Sequence, residues 1–227
     1  MHRLNERSNL SHADFILFGL IAASLFFTVI YQLTSLHTEF SVGFAREDGP
    51  VEWGTAIFLF LAALVLFRNS AVLWQASGGL AALITLLYAL LFVFGAGEEI
   101  SWGQRLFGWE PGEFFEEKNF QSETNLHNLV VGEKQLTKTL FGPILTFVLL
   151  LYLAALPLLY PRMRWVRVVA RALRVPVPGF RHAAWAVFAS LLIAVFDMDR
   201  KWEVYEFVFS LLAVSIFLAP QNHDETT

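Results

Sequence analysis

Glu98 and Glu99 stand side by side at the end of a long apolar run, and Glu123 and His127 follow with three residues between them. Carboxylates with a single imidazole form a hard donor set that suits Mg, Mn, Ca or Fe, or a catalytic Zn. A metal held there lowers the pKa of a bound water enough for it to attack an ester or phosphodiester, with a spare glutamate as general base. On this reading Glu98, Glu99, Glu123 and His127 are the catalytic candidates. The candidate metal ligands are Glu99, Glu123, His127, Asp197 and Glu203, the last two brought from a later connection. Gln104, Arg105, Asn125 and Asn128 are candidates for substrate binding, and Lys118, Arg200 and Lys201 are further groups able to meet an anionic headgroup. The chain has no cysteine, which excludes thiolate ligands, thiol nucleophiles and disulfides.

Local spacing constrains how these groups meet. Consecutive residues on a helix diverge by about 100°, so Glu98 and Glu99 do not point into one site together, and one is expected to face solvent or Arg105. Gly95 and Gly97 permit close helix approach or a break just before them. The segment NFQSETNLHN reads two ways. As helix it places Glu123 and His127 on one face, and as an extended segment it alternates Asn119, Gln121, Glu123, Asn125 and His127 onto one side.

The elements that must position these groups are membrane helices. Over 227 residues the chain is 56% hydrophobic and 16% charged, with a mean hydropathy of +0.53, above the apolar share of about 45–50% usual for soluble domains. The apolar residues are gathered into blocks, the signature of a multi-pass membrane protein. The expected fold is an all-α polytopic bundle forming one integral membrane domain over 1–227, with helices at about 15–36, 51–67, 78–96, 140–160, 183–199 and 202–219. An interfacial segment at 97–139 and an arginine-rich loop at 161–182 complete it. The first helix reads as a retained signal anchor, because no small-x-small cleavage pattern follows it.

Arg162, Arg164, Arg167, Arg171, Arg174 and Arg181 crowd the loop between the fourth and fifth helices, which places that loop in the cytoplasm. Both termini then lie inside, with Arg3, Arg7 and Arg68. All of the 20 acidic residues except Glu6, Asp14, Asp224 and Glu225 fall on the outward connections or the helix ends that frame them. The tryptophans agree, since indole favours the headgroup level: Trp53, Trp102, Trp109 and Trp202 fall at the outer boundary, and Trp74, Trp165 and Trp185 at the inner.

The apolar windows inside the last two helices, 183–196 and 207–219, cover only about 20 Å each, short of a hydrocarbon core of about 30 Å. To cross, they must draw DMDRKWEVYE toward the membrane, which holds Asp197, Asp199, Glu203 or Glu206 near or below the headgroups. Asp48 and Glu52 repeat the D-x-x-x-E spacing of Asp199 and Glu203, and acids in a first helical turn also meet the macrodipole. EPGEFFEEKNF reads as an interfacial helix, a lid over the outer leaflet.

GEEISWGQRLFGW and NFQSETNLHN, with EDGPVEW upstream, resemble a family of uncharacterised bacterial multi-pass membrane proteins; the resemblance runs from about Glu47 to Asn128. It implies a bacterial inner-membrane location and supplies no activity. Glu98 and Glu99 also bear a partial resemblance to the EExxxR motif of CAAX-type intramembrane glutamic proteases. This chain has Gly103 where that arginine belongs, with Arg105 two places later, and Glu123 where that family's second motif has phenylalanine.

Three functions fit these readings. The first is a metal-dependent hydrolase or transferase acting on a lipid or lipid-linked substrate at the outer membrane face. The second is a cation- or proton-binding transporter, and the third a non-catalytic membrane partner or scaffold. Membrane lipids are the expected partners and nucleic acid is not; the oligomeric state is not readable.

Overall fold

The computed structural model describes residues 11–226, so Arg3 and Arg7 lie outside the described residues. Helix α1, His12–Leu33, opens on a capping box: the Asp14 N–H donates to Ser11 Oγ at 3.0 Å and the Ser11 N–H to Asp14 Oδ2 at 3.2 Å. Helix α2, Pro50–Ala76, carries its proline in the first turn, where no N–H is needed. Helix α3 is Gly79–Glu99 and α4 is Thr137–Leu159. Pro143 and Pro157 each remove a backbone donor from α4, which contains π turns at Thr137–Ile144 and Leu151–Ala155. Helices α5, Arg164–Ala172, α6, Phe180–Val195, and α7, Lys201–Leu218, complete the main elements.

The all-α expectation holds. Of the six segments expected to cross a membrane, α1, α2, α3 and α4 are long and apolar enough to do so. Helix α6 is apolar but has only 16 residues, and α7 carries Lys201, Glu203 and Glu206 in its first two turns. Helix α2 runs to Ala76, beyond its expected end at 67, because the polar residues that close the apolar window are satisfied inside the bundle. Asn69 Nδ2 donates to the Phe217 carbonyl at 3.1 Å and Ser70 Oγ to the Ala82 carbonyl at 2.8 Å.

Burial does not follow hydropathy: α1 and α4 are equally apolar, yet α1 is far more buried. Helix α7 is the most enclosed, with Val204, Val208, Leu211, Leu212 and Ile216 packed against α1, α2 and α6. Helix α4 is among the most apolar and is the least buried of the four long helices. Lipid is as apolar as leucine and gives no hydrophobic drive for burying α4, whereas the central helix tolerates polar groups because neighbouring helices satisfy them. Gly54 makes one close approach possible: a Cβ there would sit 2.6 Å from the Phe207 ring, so α2 and α7 meet closely beside the acidic residues at their N-terminal ends.

The two ends of the bundle differ in charge. One holds the connections 34–49, 100–136 and 196–200; the other holds 77–78, 160–179 and the C-terminal segment. At this second, arginine end, the Gly179 N–H donates to His182 Nδ1 at 2.9 Å, which leaves Nε2 to carry the proton of a neutral ring. Nε2 lies 2.9 Å from Ser215 Oγ, which donates to Asp14, and Asp14 in turn pairs with Arg181 at 3.2 Å. This chain ties α1, α6 and α7 together with every member satisfied. The strap Val175–Pro178 is held beneath it: the Val177 N–H donates to Asn222 Oδ1 at 2.8 Å, and Tyr152 donates its hydroxyl to the Pro176 carbonyl at 2.7 Å.

Candidate functional site

The acidic end is built around a sharp reversal after α3. Ser101, Trp102 and Gly103 take φ values of 47°, 55° and 80°, three consecutive left-handed residues of which only the last is glycine. The reversal folds Trp102 back over Gly97, where a Cβ would stand 2.8 Å from the indole ring. Gly97 is therefore needed for the ring to lie there, rather than for helix approach. From that position Trp102 Nε1 donates to Glu98 Oε1 at 2.9 Å.

Glu98 and Glu99 diverge as a helix requires, but neither is left to open solvent. Glu98 is buried and its Oε2 accepts the backbone N–H groups of Leu126, at 2.6 Å, and His127, at 3.1 Å. His127 Nδ1 lies 3.6 Å from the same oxygen. Glu99 is half-buried and faces α7, where its carboxylate and those of Glu203 and Glu206 have oxygens all within 4.8 Å of one another. No hydrogen bond or ion pair reaches Glu99 or Glu206 among the described residues, while Glu203 has Arg200 at 3.1 Å. Glu206 is the exposed member of the three, so the cluster opens at the surface as a crevice. His127 is close enough to Glu203 for their charges to interact.

Glu123 lies in a different set. The segment NFQSETNLHN is neither helix nor regular strand but a looped turn, closed by an isolated antiparallel bridge between Asn119 and Leu129. Asn119 Oδ1 accepts the N–H groups of Gln121 and Glu123, and its Nδ2 donates to the carbonyl and side chain of Asn125. Short polar side chains have here replaced the backbone ladder that either regular form would need. Consequently Glu123 and His127 do not share a face. Glu123 accepts from Ser101 Oγ at 2.7 Å and Asn125 Nδ2 at 2.8 Å, and pairs with Arg105; His127 goes to Glu98.

Arg105 is the hub of this second set. Its guanidinium meets Glu123, Asp48 at 2.7 Å, Glu52 at 2.7 Å and Glu47 at 3.4 Å. Four carboxylates gather on one cation, which raises the guanidinium's pKa above its ordinary value against the opposing effect of burial. Glu47 moves upward from the usual glutamate range, because burial and the Glu123 carboxylate both disfavour its charged form. Glu47, Asp48, Arg105, Gln121 and Glu123 line an open polar cavity of about 480 Å³.

The remaining candidates divide between bracing and exposure. Gln104 is buried and joins 101–107 to the loop, accepting the Thr124 N–H at 2.6 Å and donating to the Ser122 carbonyl. Asn125 is 1% exposed with its amide donating to Ser101 and Glu123. Asn128 bonds Gln121 and accepts from Thr137 Oγ1 at 3.0 Å. Arg105, Gln104, Asn125 and Asn128 are thus occupied in holding the loop together rather than held out toward a substrate. Asp197, expected among the metal ligands, is exposed on the α6–α7 connection, where its N–H donates to Gln32; it does not join the carboxylate group. Glu206 stands in that group instead. Its signal in the sequence was its place one helical turn after Glu203. Glu47, Asp48 and Glu52 also enter the site without having been expected there; the four-residue spacing of Asp48 and Glu52 serves a local hydrogen bond, the Asp48 N–H donating to Glu52 Oε2 at 2.7 Å. The interfacial helix expected in EPGEFFEEKNF is reduced to Glu113–Lys118.

No family model matches the chain, and neither a curated protein nor a solved structure matches it. What the fold and the site define is a helical protein with four helices long and apolar enough to cross a membrane and two acidic clusters at one end, one gathered around Arg105 and the other with Arg200 on Glu203 alone.

Proposed function

We propose that this chain is a six-pass protein of a bacterial inner membrane, with both termini cytoplasmic and the acidic end outside. Its crevice binds a divalent cation on Glu99, Glu203 and Glu206. The cation serves a hydrolase or transferase reaction on a lipid or lipid-linked substrate of the outer leaflet. The observation that carries this reading is the approach of the three carboxylates to within 4.8 Å with no hydrogen bond on Glu99 or Glu206 among the described residues. Two unit charges at that separation repel by about 3 kcal/mol at an effective dielectric near 20. An all-oxygen donor set relieves that repulsion by taking a hard divalent ion, which keeps open coordination positions for water and substrate. His127, held by Glu98, stands at the border as an acid–base group for the leaving oxygen. The arginines at the opposite end support the orientation.

Protons would relieve the same repulsion, and a proton- or cation-coupled transporter is the second reading; the access of Glu206 from the crevice favours it. Against it, α7 carries no charged residue after Glu206, so no ionisable path continues along the central helix. The deciding measurement is elemental analysis of the detergent-purified chain beside E99Q and E206Q. About one divalent ion per chain in the native protein, lost in both variants, is the expected result. Absence of any retained or restorable divalent ion in the native protein would overturn the metal site.

A further inference from the structure

The α4–α6 side of the bundle carries an open apolar groove of about 480 Å³. Its floor is a continuous stripe of α6, from Phe180 through Ala184 and Val187 to Leu191, with Ala154 and Leu158 of α4 as the facing wall. The opposite face of α6, with His182, Ala186, Ala189 and Ile193, is buried in the bundle, so the groove lies on the lateral surface. Along α6 it extends about 16 Å at 1.5 Å per residue, much of one leaflet's hydrocarbon depth.

The arginine end of the groove is marked by a cation that has no acidic partner among the described residues. Arg162 Nη1 donates to the carbonyl of Leu158, a wall residue, at 2.7 Å, and the residue is exposed. Arg164, at the start of α5, is exposed and likewise has no carboxylate partner among the described residues. The neighbouring arginines are engaged: Arg167 with the carbonyls of Tyr160 and Pro161, Arg171 and Arg174 with Glu225, and Arg181 with Asp14. Helix α5 also presents Trp165, Val168 and Val169 outward beside these cations, the pattern of a helix lying at a lipid interface.

We propose that this groove is a binding site for an anionic phospholipid, with one acyl chain along the Phe180–Leu191 stripe and the headgroup phosphate on Arg162 and Arg164. A guanidinium matches a phosphate with paired donors, and the small side chains Ala154, Ala183 and Ala184 leave room for a chain of methylenes. The site is on the other side of the membrane from the acidic crevice and does not depend on the cation there. It does rest on α4 and α6 lying in the bilayer.

The test is native mass spectrometry of the full chain released from detergent after incubation with phosphatidylglycerol, phosphatidylcholine or glycerol phosphate. Native protein is expected to retain phosphatidylglycerol in preference to phosphatidylcholine and to retain no glycerol phosphate. R162Q/R164Q should lower phosphatidylglycerol retention about tenfold while leaving phosphatidylcholine unchanged. A184F, which fills the groove, should lower both. Equal retention of the two lipids, or an unaltered preference in R162Q/R164Q, would overturn the proposal. So would capture of glycerol phosphate alone, or a lipid-free dimer that A184F dissociates, since a second copy would then occupy the groove. If A184F does not fold, the arginine double variant decides the question by itself.

Discussion

The carboxylate of Glu98 accepts the backbone N–H of Leu126 at 2.6 Å, so the last turn of α3 holds the loop that carries His127. A second N–H, that of His127, reaches the same oxygen at 3.1 Å, which makes Glu98 the fastening between helix and loop. E98A should therefore leave two part-buried donors unmet, at a cost of about 1 kcal/mol each. Hydrogen exchange at Leu126 and His127 is the direct readout: protection should fall sharply in E98A and only partly in E98Q, which keeps an acceptor oxygen. Unchanged protection in E98A would show that the fastening lies elsewhere.

Arg105 balances Glu47, Asp48, Glu52 and Glu123. In R105Q the carboxylates lose their common counter-charge while Glu52 and Glu123 stay buried, and the loss should reach about 3 kcal/mol, as for breaking a buried ion pair. R105K restores the charge but not the planar fork and should fall between the two. Thermal denaturation in detergent at fixed salt gives the order native, R105K, R105Q.

The crevice acids predict the opposite sign. With a chelator present and at alkaline pH, where all three acids are ionised, removing one negative charge from Glu99, Glu203 and Glu206 relieves repulsion, so E206Q should raise Tm relative to the native chain. Adding a divalent ion should then raise the native Tm and leave that of E206Q nearly unchanged. A fall of Tm in E206Q under chelator would mean that the acids are not held against one another.

Glu47 supplies a pH dependence. Its pKa is raised in the folded state, so the folded chain holds that proton more tightly than the unfolded chain. Stability from this group is greatest below the unfolded glutamate value of about 4.5 and declines as pH rises through the folded value. E47Q cannot lose a proton, and its Tm should gain on the native Tm as pH rises from 4 to 7. A difference that is flat over this range would contradict the assignment.

At the arginine end, S215A interrupts the chain from His182 to Asp14 and leaves a buried imidazole N–H without its acceptor. The expected loss is about 1–3 kcal/mol, seen as a lower Tm with the acidic end unaffected in hydrogen exchange.

Much of this was legible in the chain itself. Length, hydropathy and the block pattern determine an all-helical protein with helices long and apolar enough to cross a membrane, because twenty apolar residues in a row leave few other outcomes. The separation of arginines from acids along the chain likewise marks the two ends of the bundle. Spacing also gave the divergence of Glu98 and Glu99, since that is a property of helix geometry alone.

Partners were decided only by tertiary structure. Nothing local assigns Glu98 to the N–H groups of Leu126 and His127, Glu99 to Glu203 and Glu206, or Glu123 to Arg105, because each pair joins segments far apart in sequence. Asp197 and Glu203 look alike as sequence, yet a few residues of connection leave one exposed and bring the other into the cluster. The central place of α7 was hidden for the same reason. Hydropathy measures affinity for lipid, whereas a helix surrounded by other helices is selected by packing and by polar groups that its neighbours satisfy.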